Sequence, residues 1–266
     1  MHTMKLPLQA GASLAAVPPR IRASLIHLAL SAAIAALVFL PLYFYWYPDV
    51  LFETAGGRDL FLLIVGVDVT IGPLVTLIIF KPGKKGLLFD LIVIGVVQAT
   101  ALCYGVYVLF ESRPVYVAYV VDRFELVRAN GFPEGELEKG RAQGYDRLSW
   151  TGPRLVGVKM PSAPEERFNL GISGLAGVDA QYYPRYYVPF DSVRSEVRAK
   201  ALPIATLRRR NPQRNAEIDR LVAALGRSEA ALRFVPMRAG KTDLAVFVDA
   251  GDGGILKITS LTPWTE

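Results

Sequence analysis

The sequence predicts a membrane protein, with three transmembrane α-helices followed by a soluble α+β domain. Three observations predict it. Apolar runs at about 23–47, 60–80 and 87–110 each match the roughly 20 residues a spanning helix needs. The composition changes near residue 110, from almost wholly apolar to mixed globular sequence. The stretch 111–266 then mixes strand-like and helix-like patterns, and is long enough for one domain with its own core. The predicted organisation is a cytoplasmic segment at 1–22, a three-helix transmembrane region at 23–110 and a periplasmic domain at 111–266.

Span one is too long for the apolar stretch of a signal peptide, and no small-residue cleavage site follows it. It ends in Tyr43, Phe44, Tyr45, Trp46 and Tyr47, a cluster suited to a membrane–water interface, with Pro41 as a candidate kink. Tyr104, Tyr107 and Phe110 mark the corresponding end of span three. Cations set the orientation. Lys5, Arg20 and Arg22 precede span one, and Lys81, Lys84 and Lys85 fill the loop between spans two and three. The loop after span one carries Asp49, Glu53 and Asp59 against Arg58. The positive-inside rule puts the N-terminus and the lysine loop in the cytoplasm, and the domain after span three on the far side, the periplasm of a bacterium.

Span two contains an aspartate, Asp68. A carboxyl group there costs roughly 2.5–3.5 kcal/mol on insertion, so something is expected to face it. It lies about 12 Å in from the outer end of the span at 1.5 Å per residue. Gly72 and Pro73 follow and are expected to break the helical ladder at similar depth. Gly66, Thr70 and Gly72 are small residues that permit close helix approach. Two compatible readings stand: Asp68 bonds Gln98 or Thr100 of span three and fixes the bundle, or Gly66, Asp68, Gly72 and Pro73 contact a partner.

In the soluble part, 114–128 is rich in β-branched and aromatic residues and predicts a strand leaving the membrane, then a second strand or an extension. A short strand is expected at 155–160. A helix is expected at 191–202, with Asp191 as N-cap and Pro203 ending it. Ile218, Leu221, Val222 and Leu225 fall at helical spacing within 215–225, and Gly226 supplies a stop. Strands at 244–248 and 255–259 flank a turn-rich hairpin loop. The glycine- and proline-rich stretches 130–144 and 161–189 are expected to be long surface loops.

Charge and composition exclude several functions. Seven of the 30 basic residues and five of the 24 acidic ones precede residue 111, so the soluble part is only modestly basic and its charges are interspersed. No nucleic-acid partner is expected. The only cysteine is Cys103 in span three, and the histidines are His2 and His27. A soluble domain with neither residue lacks Ser-His-Asp and Cys-His catalysis and most zinc sites. Ala239, Gly240, Lys241 and Thr242 resemble the tail of a phosphate loop, but the required glycine is Val235. Gly171, Gly174 and Gly177 lack a strand–turn–helix setting. Asp249 and Asp252 fit a hairpin turn better than a calcium site. Arg208, Arg209, Arg210 and Arg214 read as a solvated basic face ahead of a lipid- or acid-binding one. Tyr182, Tyr183, Arg185, Tyr186 and Tyr187 form the candidate recognition surface, with a strand edge packed on the core as the alternative. No enzyme, cofactor or metal is expected.

Several segments carry a resemblance: Arg58-Asp59-Leu60; Gly66-Val67-Asp68; Gly72-Pro73-Leu74 with Thr76-Leu77-Ile78-Ile79-Phe80; and Val115-Tyr116 through Val121-Asp122-Arg123-Phe124. The chain resembles the type IV pilin accessory protein family, the TfpX/TfpZ group. The likeness covers the spans and the start of the soluble domain, and weakens after about residue 190. It implies an inner-membrane protein that assists a cognate type IV major pilin, with the lipid bilayer as its other partner. It brings no catalytic residues. The competing reading is a membrane-anchored sensor or subunit of an envelope transport complex with Asp68 as an ion or proton relay, although His27, Ser31, Asp90, Gln98 and Thr100 make a sparse polar path.

Overall fold

The structure, a computed structural model, describes residues 17–175, 177–240 and 242–264. Three long helices come first: α1 (Pro19–Pro41), α3 (Gly57–Ile79) and α4 (Leu87–Glu111), with a short α2 (Leu51–Thr54) between the first two. All three are long and apolar enough to cross a membrane, counting for the first its extension to Trp46. Their outward faces are bare. Leu37, Leu63, Ile78 and Leu88 are 69–72% exposed, which suits contact with lipid and not with water.

One expectation about these helices changes. Pro41, the candidate kink, closes α1, and a π-helical turn at Leu42–Trp46 continues the first span. Gly72 and Pro73, however, do not break span two, because α3 runs through both. Proline forfeits one ladder bond there, and the helix continues to Ile79.

The chain divides into two compact units: residues up to Val38 with Leu62–Val106, and Phe39–Phe61 with residues from Tyr107 on. The first holds most of the three long helices and the loop between α3 and α4. The second begins with an aromatic cluster in which Phe39 stacks on Tyr43 (5.3 Å) and meets Phe52 (5.6 Å) and Phe61 (5.4 Å). Tyr47 is fully buried, and its hydroxyl donates to the Leu109 carbonyl at 3.1 Å.

The rest of the second unit is a mixed α+β fold, as the sequence predicts. Its strands are β1 (Pro114–Val120), β2 (Arg123–Arg128), β3 (Arg154–Val158), β4 (Tyr187–Pro189), β5 (Leu202–Pro203), β6 (Leu232–Arg238), β7 (Leu244–Asp249) and β8 (Ile255–Thr259). They form one sheet in the order β4-β3-β1-β2-β6-β7-β8, with β5 beside β6. The β1–β3 and β2–β6 pairs are parallel and the others antiparallel. The helices are α5 (Glu136–Lys139), α6 (Pro164–Leu175), α7 (Arg194–Lys200), α8 (Ile204–Arg210) and α9 (Asn215–Ala224).

Strand alternation explains the two cores. Tyr116 and Ala118 of β1 lie in register with Arg154 and Val156 of β3, and pack under Tyr145, Tyr183 and Tyr187. Leu232 and Phe234 of β6, with Ala245 and Phe247 of β7, pack under Ile204 and Leu207 of α8 and Ile218 of α9. The α9 contact is the face that the apolar spacing predicts.

Elsewhere the sequence misleads. The supposed loop 161–189 holds α6, and β6 in the middle of the sheet was not foreseen. Asp191 does not cap α7; the cap position is Val193, and Asp191 instead pairs with Arg194 at 2.7 Å. That helix ends at Lys200, and Pro203 closes β5.

Candidate functional site

Within the first unit, polar side chains gather where apolar ones would be expected. Ser24, His27 and Ser31 recur at helical spacing on α1. The Ser24 hydroxyl donates to the Pro73 carbonyl at 2.9 Å. His27 Nδ1 and Thr76 Oγ1 lie 2.6 Å apart. From α4, Gln98 Nε2 donates to the Asp68 carbonyl at 3.3 Å. Of the two partners the sequence offers Asp68, Gln98 therefore makes the contact. Thr100 spends its hydroxyl on Val96 of its own helix. The Gln98 bond goes to the backbone, and Asp68 Oδ1 is enclosed with no hydrogen bond of its own among the described residues, although Gln98 and His27 both act on the carboxyl from nearby.

That carboxyl borders a cavity of about 570 Å³ among α1, α3 and α4. Arg22, His27, Ser31, Asp68, Thr76 and Gln98 supply its polar groups, and leucine and isoleucine dominate the rest. An apolar recess with a few convergent polar groups has the character of a binding site. An unpaired carboxyl oxygen selects an occupant that brings a donor or a positive charge.

The four intramembrane candidates separate. Gly72 is tightly covered: a Cβ there would stand 2.2 Å from Gln98 Nε2 and 2.8 Å from His27 Nε2. Pro73 is buried, with its carbonyl bound by Ser24. Gly66 faces open space, and a Cβ added there would meet nothing within 4 Å. Asp68 alone presents an unspent group to the cavity. The His27 and Ser24 contacts were missed, and their three- and four-residue spacing was the available signal.

The tyrosine-rich segment turns mostly inward. Tyr187 is 1% exposed, with its ring 5.1 Å from Tyr116 and 5.4 Å from Tyr145. Its hydroxyl donates to the Gln181 carbonyl, and burial pushes its phenol well above the ordinary range. Tyr183 is buried, and Tyr182 packs on Phe132. Arg185 lies over the Tyr183 and Tyr186 rings at 5.1 and 5.0 Å and pairs with Glu136 at 3.2 Å. The packing alternative describes most of this segment.

The remaining motifs have structural roles. Asp249 Oδ1 accepts from the Gly251 amide at 2.6 Å, and Asp252 pairs with Arg194 at 2.9 Å, so both carboxylates are engaged in the hairpin and its anchoring. Among the described residues no cluster of three metal-ligating side chains occurs. Arg208 is no loose basic face, since it bridges Asp219 and Glu229 at 2.8 and 2.7 Å. Arg214 similarly joins Glu217 to the Ser260 carbonyl. Gly171 and Gly174 lie in α6. The phosphate-loop candidate falls partly on Lys241, outside the described residues.

Fold and site together define a protein with three helices of membrane-spanning length, an apolar recess with a few polar groups among them and a mixed-sheet domain. No family model and no solved structure matches the chain. It is 31% identical over 182 residues to the serogroup I fimbrial assembly protein of Dichelobacter nodosus, covering 68% of this chain and 70% of that one. The serogroup E1 protein of the same organism gives 30% over 182 residues with the same coverage. The protein of serogroups C1 and C2 gives 38% over 104 residues, covering 38% of this chain and 79% of its own. The chain belongs to the family of these fimbrial assembly proteins.

Proposed function

We propose that the protein is an inner-membrane accessory factor in fimbrial assembly, of the TfpX/TfpZ kind, which assists the assembly or stability of a cognate type IV pilin without catalysing a reaction. The N-terminus lies in the cytoplasm and the sheet domain in the periplasm. The observation that carries the reading is the enclosed, unpartnered Asp68 Oδ1 at the edge of the cavity among the three helices. A single-span pilin helix would enter that recess and bring a donor to the carboxyl, while the sheet domain engages the pilin head. The family relationship supports the assembly role.

In this reading the contact lies in the recess and not on the face that holds Gly66, where an added Cβ would meet nothing within 4 Å. Photo-crosslinking residues at Ile34 and Leu102, which border the cavity, are expected to capture pilin, and one at Gly66 is not. Capture from the sheet domain alone would sink the intramembrane half of the proposal.

The polar groups around the recess also give the relay alternative more than the sequence offered. Asp68→Asn separates the two readings: a relay stops, whereas a contact that needs an acceptor keeps most of its pilin capture.

A further inference from the structure

Just after α4, Arg113 is 3% exposed, and each nitrogen of its guanidinium donates a hydrogen bond. Its Nη1 donates to the Phe110 carbonyl at 2.6 Å, and its Nε and Nη2 both donate to the Ser149 carbonyl at 3.1 and 3.0 Å. Its guanidinium also lies 3.6 Å from the centre of the Phe110 ring. This clamp fixes a loop of the sheet domain against the helix end. The next residue of that loop, Trp150, is 72% exposed, with its ring 4.9 Å from Phe110. Phe110 in turn meets Trp46 at 5.2 Å. Gly152 closes the loop against the first span: its φ is +106°, and a Cβ there would stand 2.6 Å from the Tyr45 carbonyl.

Trp46 ends one helix of membrane-spanning length, and Phe110 is the penultimate residue of another. Tryptophan at such ends belongs in the headgroup layer, where its ring is half solvated and its N–H finds a partner. A third aromatic ring held against these two, and left mostly uncovered by protein, extends the same belt.

We propose that Trp150 is a membrane-interface anchor of the sheet domain, with the headgroup layer of the surrounding bilayer as its partner. It is positioned by Arg113 and continuous with the belt formed by Trp46 and Phe110. The domain is thereby seated on the lipid surface at a second point besides its covalent link to α4. This inference is independent of any pilin contact.

The chain has three tryptophans, so W46F/W264F leaves Trp150 as the sole reporter. The full chain would be reconstituted in phosphatidylcholine–phosphatidylglycerol vesicles whose acyl chains carry bromine either near the headgroup or at the tip. Bromine near the headgroup is expected to quench Trp150 strongly and bromine at the tip weakly. Aqueous iodide is expected to quench it less than it quenches Trp264 in W46F/W150F. Emission that ignores both bromolipids and yields fully to iodide would overturn the anchor. Because Arg113 is buried, R113Q serves only as a second measurement, read where the protein still folds. It is expected to lose the bromolipid quenching of Trp150; full retention would overturn Arg113 as its positioning residue.

Discussion

Glu125 shows how one side chain can make the sheet domain sensitive to pH. It lies on β2 in register with Arg238 of β6. Burial pushes its carboxyl up to about 7, against the opposing pull of Arg238 and Arg123. In the unfolded chain such a group titrates near 4.3. The folded state therefore binds the extra proton, and the burial penalty is absent below the unfolded value. Stability falls as pH rises through the interval and levels off above about 7. Glu125→Gln should stabilise the full chain in micelles at pH 8 by about 1–2 kcal/mol after allowance for partial exposure, seen as a higher thermal midpoint, and do little at pH 4. In the first unit, Gly72 and Gly66 make a matched pair. Alanine brings either site the same gain in helix propensity, but only at Gly72 must Gln98 and His27 give way. G72A is expected to unfold about 1–2 kcal/mol more easily than G66A in micelles. Equal midpoints would show that the recess is loose. Asp68 was legible from sequence because a carboxyl in an apolar run stands out unaided. Its surroundings were not, because they depend on the rotational register of α1 against α3 and α4.

At the scale of elements, the β1–β2 hairpin turns through Val121 and Asp122. Val121 has φ +58°, a left-handed conformation that a β-branched residue adopts only under strain. It is 56% exposed, so little packing would be lost by replacing it. Val121→Asn is expected to raise stability by about 1 kcal/mol, read from the denaturation midpoint. Elements with a clean period were legible: the three spans, the β1–β2 pair, α9 and the β7–β8 hairpin all form close to their expected positions. Those whose pattern is interrupted were not. Pro236 and the arginines at 233 and 238 hide β6, although it pairs with β2, β5 and β7. On the side away from β7, β6 pairs with β5 through Arg233 and Phe234 and with β2 through Met237 and Arg238, so Pro236 falls in the gap between those pairings, where a missing N–H is tolerated. Gly171 and Gly174 disguise α6, which buries only Leu170 and leaves Phe168, Ile172 and Leu175 exposed. The tyrosine segment looked like a surface because tyrosine is common at interfaces, and the same amphipathic ring also fills a core when its hydroxyl finds a carbonyl, as that of Tyr187 does.

Over the whole molecule, the proposed topology makes a direct prediction. Cys103 is the only cysteine, so Cys103→Ser gives a blank background. Leu175→Cys, at an 87% exposed position, should react with an impermeant maleimide in cells whose outer membrane alone is permeabilised. Lys85→Cys, in the loop between α3 and α4, should react only after lysis. The reverse pattern would invert the protein in the membrane. The strand order carries a consequence for how the chain acquires its shape. β1 and β2 are adjacent in sequence and can zip together as soon as both are made. The far edge of β2 must wait for β6, and thus for most of the domain to be made. Pairings of such long range form slowly, and an open strand edge meanwhile invites mispairing. A polypeptide stalled before β6 would present that edge to every neighbour, so the interval between the second strand and the sixth is when this molecule is most vulnerable to aggregation and to proteases.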